Sequence, residues 1–183
     1  MTEQCSPWCT PLAERRSTLA EQVLFGILGA MTFGLKVVMS YLPNIEPVSL
    51  MVMLFAVTFG RKALYPIYVY VLLEFLLYGL NLWSINYLYI WVILAAAAWL
   101  LRDQEHPLAW AMLSGSFGLL FGALCAPVDV AIGGMGYAAT RWISGIPFDL
   151  LHGAGNFVIA LVLFTPMRRL MNRLYLDMMS NHR

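Results

Sequence analysis

Charge is what this sequence has least of. Only 11% of its 183 residues are Asp, Glu, Lys or Arg, whereas an ordinary soluble domain carries about 25%. With 61% of residues hydrophobic and a mean hydropathy of +0.72, a water-soluble globular protein is excluded. So is a disordered chain, which needs low hydrophobicity and high charge to stay solvated. The formal net charge of +1 supplies no basic field to hold phosphates, and no nucleic acid is expected as a partner. The chain also lacks a GxxxxGK[ST] phosphate loop, an HExxH, a GxSxG and a paired-cysteine motif. Nucleotide hydrolysis, zinc proteolysis and serine-hydrolase chemistry therefore have no visible machinery. Cysteine is sparse as well: Cys5 and Cys9 lie in a short polar N-terminal stretch at a spacing that does not fit the usual metal pattern, and Cys125 sits in an apolar segment far from both. Residues 1–18 carry Glu3, Glu14, Arg15 and Arg16 without an apolar run, and so read as a cytoplasmic tail, not a cleavable signal.

What is present is apolar length. Because a helix needs about 20 apolar residues to cross the hydrocarbon core, the chain has room for several crossings and almost nothing outside the membrane. Apolar runs broken by charge, glycine and proline predict an all-α integral membrane bundle of six transmembrane helices, at Leu19 to Leu42, Ile45 to Phe59, Ala63 to Leu80, Ile85 to Leu101, Leu108 to Ile132 and Ile146 to Thr165. The second is short for a full crossing and is fenced by Pro47 and Gly60. Pro127 and the glycines at 133, 134 and 136 predict an irregular stretch before Arg141. Beyond Pro166 a basic amphipathic helix is expected over residues 167–183, with Arg168, Arg169 and Arg173 on its polar side. The bundle proper is thus 19–166, one domain between two cytoplasmic tails.

Orientation follows from the basic residues. With the N-terminus inside, Arg15, Arg16, Arg61, Lys62, Arg102, Arg168, Arg169, Arg173 and Arg183 are all cytoplasmic, and of the 11 basic residues only Lys36 and Arg141 lie elsewhere. The positive-inside rule places both termini in the cytoplasm.

In that frame Lys36, Glu46, Glu74, Asp129, Arg141, Asp149 and His152 map to the outer half of the membrane or the outer loops. A charge at mid-membrane costs several kcal/mol, so such residues face a cavity or one another. Their gathering on one side favours a polar cavity open to the outside over a continuous pore. Asp149, His152 and Asn156 recur at i, i+3 and i+7 and share one helical face. Two readings fit them: a ligand site, or side chains that hydrogen-bond each other and a neighbouring helix. Lys36 with Glu74 is likewise either part of the site or a structural ion pair. Trp83, Asn86 and Tyr87, near the outer connection of the third and fourth segments, are either an interfacial belt or an aromatic and amide wall that stacks on a flat ligand. The loop Pro43, Asn44, Ile45, Glu46, Pro47 is either a lid bringing Glu46 to the cavity mouth or a tight turn. Gly26, Ala30 and Gly34, four apart, make a small-residue stripe that lets another helix approach closely, within the bundle or from a partner.

Six helices in such a short chain, this stripe in the first helix, PNIEPVSLMVMLFAVTFG at Pro43 to Gly60 and SGIPFDLLHGAGNF at Ser144 to Phe157 resemble the substrate-binding S components of energy-coupling factor (ECF) vitamin transporters. The resemblance covers nearly all of the chain after the tail. It implies a multi-pass subunit of a prokaryotic plasma membrane that captures a vitamin-like micronutrient from outside. The subunit docks on one transmembrane coupling protein (the T component) and two ATPase subunits, which use the ATP. It further implies docking through Gly26, Ala30 and Gly34, where glycine stands at two of the three positions at which alanine is typical, and uptake by toppling of the loaded subunit. On this reading the chain is not an enzyme and holds no cofactor or metal of its own. Lys36, Glu46, Glu74, Trp83, Asn86, Tyr87, Asp149, His152 and Asn156 contact the solute. Two other classes stand beside it: a stand-alone proton-coupled carrier, with Glu74, Asp149 or His152 relaying protons, and a membrane enzyme using Asp149 and His152 as acid and base, for which no nucleophile or metal is found.

Overall fold

The computed structural model describes residues 18–41 and 46–181. Cys5, Cys9, Arg15 and Arg16 of the N-terminal tail, Pro43 to Ile45 of the first outer loop, and Arg183 lie outside the described residues. The elements are α1 (Leu19–Val38), α2 (Val48–Phe59), a short 3-10 turn (Gly60–Ala63), α3 (Leu64–Tyr78), α4 (Leu82–Leu100), α5 (Pro107–Leu119) and α6 (Phe121–Asn181), with no strand among the described residues. Four stretches are long and apolar enough to cross a membrane: Leu19–Val38, Val48–Tyr78, Leu82–Leu100 and Pro107–Ser180.

Local chemistry sets the helix ends. Thr18 caps α1 in a reciprocal box, its hydroxyl accepting the Glu21 amide while Glu21 Oε2 accepts the Thr18 amide. Asn81 Oδ1 accepts the Ser84 amide at the start of α4, and His106 followed by Pro107 opens α5. Gly60 and Gly79, at φ 57° and 74°, close α2 and α3 in conformations that side-chain-bearing residues rarely adopt.

Contacts between helices give their directions. Along α1, Phe25, Gly29 and Lys36 meet Tyr65, Val69 and Glu74 of α3 in rising order, so the two run parallel. Only the turn at 79–81 separates α3 from α4, Lys36 meets Glu74 and Tyr87 on either side of it, and Tyr68 further down α3 reaches Leu88, so α3 and α4 run antiparallel. Ser49 meets Asn156, and Phe59 meets Tyr175, which sets α2 parallel to the second arm of α6. At the centre lies α2, all twelve residues buried, as expected of a helix that is apolar on every side. The bundle's exterior is oily: Leu72, Leu76, Leu88, Ile93, Met112 and Val162 are each more than 40% exposed, a surface suited to lipid and not to water.

The long α6 differs from the sequence expectation. The irregular stretch before Arg141 is absent: a single residue, Gly134 at φ 79° and ψ 177°, carries the whole interruption, and helix resumes at once, eleven residues ahead of Ile146. Pairing across the break is strictly antiparallel, with Asp129 beside Arg141, Gly122 beside Asp149, Gly118 against Gly153 and Gly115 against Phe157. Each step forward on one arm matches a step back on the other, so α5 with residues 121–133 forms one limb of a hairpin and residues 135–181 the other. The limbs pack backbone to backbone, since a Cβ on Gly118 would lie 2.7 Å from the Gly153 nitrogen. As expected, the second limb continues past Pro166, to Asn181.

These directions sort the polar residues by end. At one end Glu21 Oε1 and Oε2 each accept from Lys62 at 2.9 Å and Oε1 accepts from the Tyr175 hydroxyl at 2.6 Å. There too Arg168 donates to the carbonyls of Arg102 and Gln104, both at 2.8 Å. Lys36, fifteen residues up α1 or about 22 Å away at 1.5 Å per residue, marks the opposite end together with Glu46, the α3–α4 turn and the Gly134 hairpin tip.

Candidate ligand-binding cavity

At the end remote from that basic cluster lies a cavity of about 600 Å³, within the size range of small-molecule sites. Four parts of the chain build it. From α4, Trp83, Tyr87 and Trp91 project at i, i+4 and i+8; from the first limb of the hairpin come Phe121, Gly122, Cys125 and Asp129; from the second come Arg141, Trp142, Phe148, Asp149 and His152; and Glu46 enters just before α2. The hairpin is therefore both wall and floor, and its tight glycine packing holds the two limbs in register.

The carboxylates differ in their surroundings. Asp149 accepts the Gly122 backbone N–H, which lies 3.2 Å from each of its oxygens. Asp129, 4% exposed, has Oδ1 3.3 Å from Arg141 Nε, yet no aligned hydrogen bond reaches that oxygen. Arg141 also spans Trp83 and Tyr137, with its guanidinium carbon 5.5 and 5.8 Å from the two ring centres. Glu46 stands outside the helices, where burial raises its carboxyl above the ordinary value while the Lys36 charge pulls it down. His152 stands edge-on to Phe121 at 4.9 Å between ring centres. Trp91 is 2% exposed and its indole N–H has no partner.

Of the sequence-derived candidates, Glu46, Trp83, Tyr87, Asp149 and His152 line the cavity. Lys36 and Glu74 lie just behind it as an ion pair of 2.9 Å, with Lys36 also donating to the Tyr87 hydroxyl at 3.3 Å. Their contact with the cavity runs through Tyr87. Asn86 is buried, its Oδ1 2.9 Å from the Tyr89 hydroxyl, which donates to the Leu124 carbonyl at 2.6 Å and so ties α4 to α6. Asn156 donates to Ser49 at 3.0 Å, buried between α6 and α2. Neither amide is among the lining groups. Gly26 and Gly34 have open space where a Cβ would be and Ala30 is exposed, whereas Gly29 is the glycine pressed against Pro66 and Val69 of α3. The stripe of three small residues thus faces outward.

Asp129 and Arg141, which the sequence placed among the outer polar residues without naming them as ligand contacts, are also in the wall, together with Trp91 of the outer aromatic region, and Phe121, Trp142 and Phe148 were not foreseen at all. The signal was there: 142, 145, 149 and 152 repeat at helical spacing, as do 118, 121, 122, 125 and 129. Treating the residues before 146 as irregular hid the first of these faces. Among the described residues no cluster of three or more His, Cys, Asp or Glu side chains has a metal-holding arrangement. The cavity wall presents charged groups, hydrogen-bonding groups and aromatic faces. No family model, curated protein or solved structure matches the chain.

Proposed function

We propose that this chain is the solute-capturing S component of an ECF-type importer in a prokaryotic plasma membrane. Six helices cross the bilayer, with the α5 and α6 hairpin supplying the last two, and both termini lie in the cytoplasm. The cavity faces outward and takes a vitamin-like micronutrient. A transmembrane coupling protein and two ATPases, meeting the chain at Gly26, Ala30 and Gly34, supply the energy from ATP, and the chain performs no covalent chemistry. The observation that carries this reading is the cavity of about 600 Å³ at the end of the bundle remote from Lys62, Arg102 and Arg168. Basic residues mark the cytoplasmic side, so a cavity at the other end is a capture site. The outward-facing small-residue stripe on α1 fits a helix-docking surface.

The test is a native mass spectrum of the tagged full-length chain, gently extracted from its host membrane. The expected species contains the chain, one further membrane protein and two ATPase subunits, with a retained small molecule. A chain that always travels alone, together with uptake that collapses with the proton gradient and persists without ATP, overturns the proposal in favour of a stand-alone carrier.

A further inference from the structure

The charge of the captured solute was open in the sequence, where acids and bases both map to the outer half. The cavity closes the question through how those charges are used. Its wall carries three carboxylates, Glu46, Asp129 and Asp149, against one guanidinium, Arg141. Arg141 is already 3.3 Å from Asp129. The next cation, Lys36, is 2.9 Å from Glu74 behind the wall, so it brings its own counter-charge with it. By formal charge, four carboxylates thus stand against two cations in and around a cavity enclosed by apolar helices. Unpaired charge is costly in such surroundings unless something neutralises it.

Two buried polar atoms on the same wall have no hydrogen-bond partner among the described residues. One is Asp129 Oδ1, an acceptor that Arg141 Nε approaches to 3.3 Å without an aligned hydrogen bond; the other is Trp91 Nε1, a donor. Both residues are more than nine-tenths buried, so solvent does not serve them as it would a surface group. Around them stand the faces and edges of Trp83, Tyr87, Trp91, Phe121, Trp142 and Phe148. Aromatic walls attract cations through their negative ring faces and stack on flat rings. A formal carboxylate excess, an acceptor without an aligned hydrogen bond and an aromatic enclosure all answer to one ligand chemistry.

We propose that the cavity selects an organic cation built on a planar ring, with its positive group between Asp129 and Asp149 and its ring against the aromatic wall. This names the solute class for the capture role proposed above and rests on that role. Asp149 is the more available of the two acids, since it is met by a single backbone amide, that of Gly122, where Asp129 is met by the Arg141 guanidinium. The indole of Trp91 supplies a donor to a ring nitrogen or carbonyl of the same ligand. A purely anionic solute would meet the excess charge with only Arg141 to receive it.

The test uses three probes of matched ring size: 1-methylquinolinium, quinoline-4-carboxamide and quinoline-4-carboxylate. Each is titrated against the full-length chain in nanodiscs by calorimetry and saturation-transfer NMR. The cation is expected to bind at least tenfold more tightly than the other two. Asp149→Asn and Asp129→Asn are each expected to cut that preference severalfold, with helical circular dichroism unchanged; two variants guard against one failing to fold. Equal affinity for all three, or preference for the neutral or anionic ring, overturns the charge assignment and leaves the cavity a capture site. Binding of none at millimolar concentration to a folded, solute-stripped chain overturns both. A preference that survives intact in both folded Asn variants overturns the placing of the cation between these two acids.

Discussion

The Gly122 amide N–H points at the Asp149 carboxylate, 3.2 Å from both of its oxygens. This links the two limbs of the last hairpin at the wall of the cavity. Glycine leaves room for the carboxylate there, because a Cβ at 122 would lie 2.5 Å from Asp149 Oδ2 and 3.1 Å from Trp142 Cδ1. One residue without a side chain therefore sets the position of an acid on the opposite limb.

Gly122→Ala tests that linkage. The obstructed atom is the far end of a side chain, so Asp149 is expected to swing aside while the fold survives. Affinity for the ring cation of the proposed capture role should fall about tenfold, or 1.4 kcal/mol, with little change in thermal stability. Unaltered affinity would remove Asp149 from the set of ligand contacts. Calorimetry on the purified chain reads both quantities.

At the other end Glu21 is fully buried and held by Lys62, Tyr175 and the Thr18 amide. Lys62→Met strips the carboxylate of its cation and should cost about 3 kcal/mol, the lower end for a broken buried pair, because Lys62 itself is 27% exposed. The double variant Glu21→Leu with Lys62→Met should recover most of that loss. Chemical denaturation in detergent is the measurement, and equal stability of the single and double variants would contradict the pairing.

Gly134 and Gly136 form an internal control. Gly134 sits at φ 79° and ψ 177°, a region open essentially to glycine alone, so Gly134→Ala should destabilise the chain by about 1–3 kcal/mol. Gly136 meets nothing within 4 Å and lies in ordinary helix, and Gly136→Ala should be neutral or slightly stabilising. Similar effects from the two would mean that the reversal is not made at Gly134.

Ala30→Trp places a large ring on the outward face of α1, away from Gly29 and its packing against α3. Solute binding should be unchanged and uptake by cells abolished. Normal uptake would remove this face of α1 as the docking site of the importer role proposed above.

Much of the architecture was legible in the sequence because membrane helices announce themselves through composition. A charge content of 11% and long apolar runs leave few alternatives to a helical bundle, since backbone groups in lipid must be satisfied within the segment. Asp149 and His152 were legible for a similar reason: two polar residues one turn apart in an apolar segment stand out. Asn156 shares their face on spacing, yet its amide meets Ser49. Periodicity gives the face of a helix, but which neighbour lies against each turn of that face is not written in it.

The hairpin shows where local signals mislead. Glycines at 133, 134 and 136 with Pro127 and Pro147 read as a broken stretch, because each residue type weakens a helix on its own. In the structure one left-handed residue makes the turn and the antiparallel packing of the two limbs keeps the rest helical. Thr140 and Ser144 hydroxyls donate back to the carbonyls of Gly136 and Thr140 at 2.9 and 2.7 Å.

By itself the sequence determined the solvent this protein lives in, its helical class and the asymmetry of its two ends, because those depend on composition and on the order of charges along the chain. The tertiary structure alone decided which charges are spent on each other and which are left facing a cavity. Lys36 and Glu74, 38 residues apart, pair at 2.9 Å, while Asp129 and Asp149 come to one wall through a reversal at a single glycine. Electrostatic interaction depends on distance through space, and that distance exists only once the helices have packed.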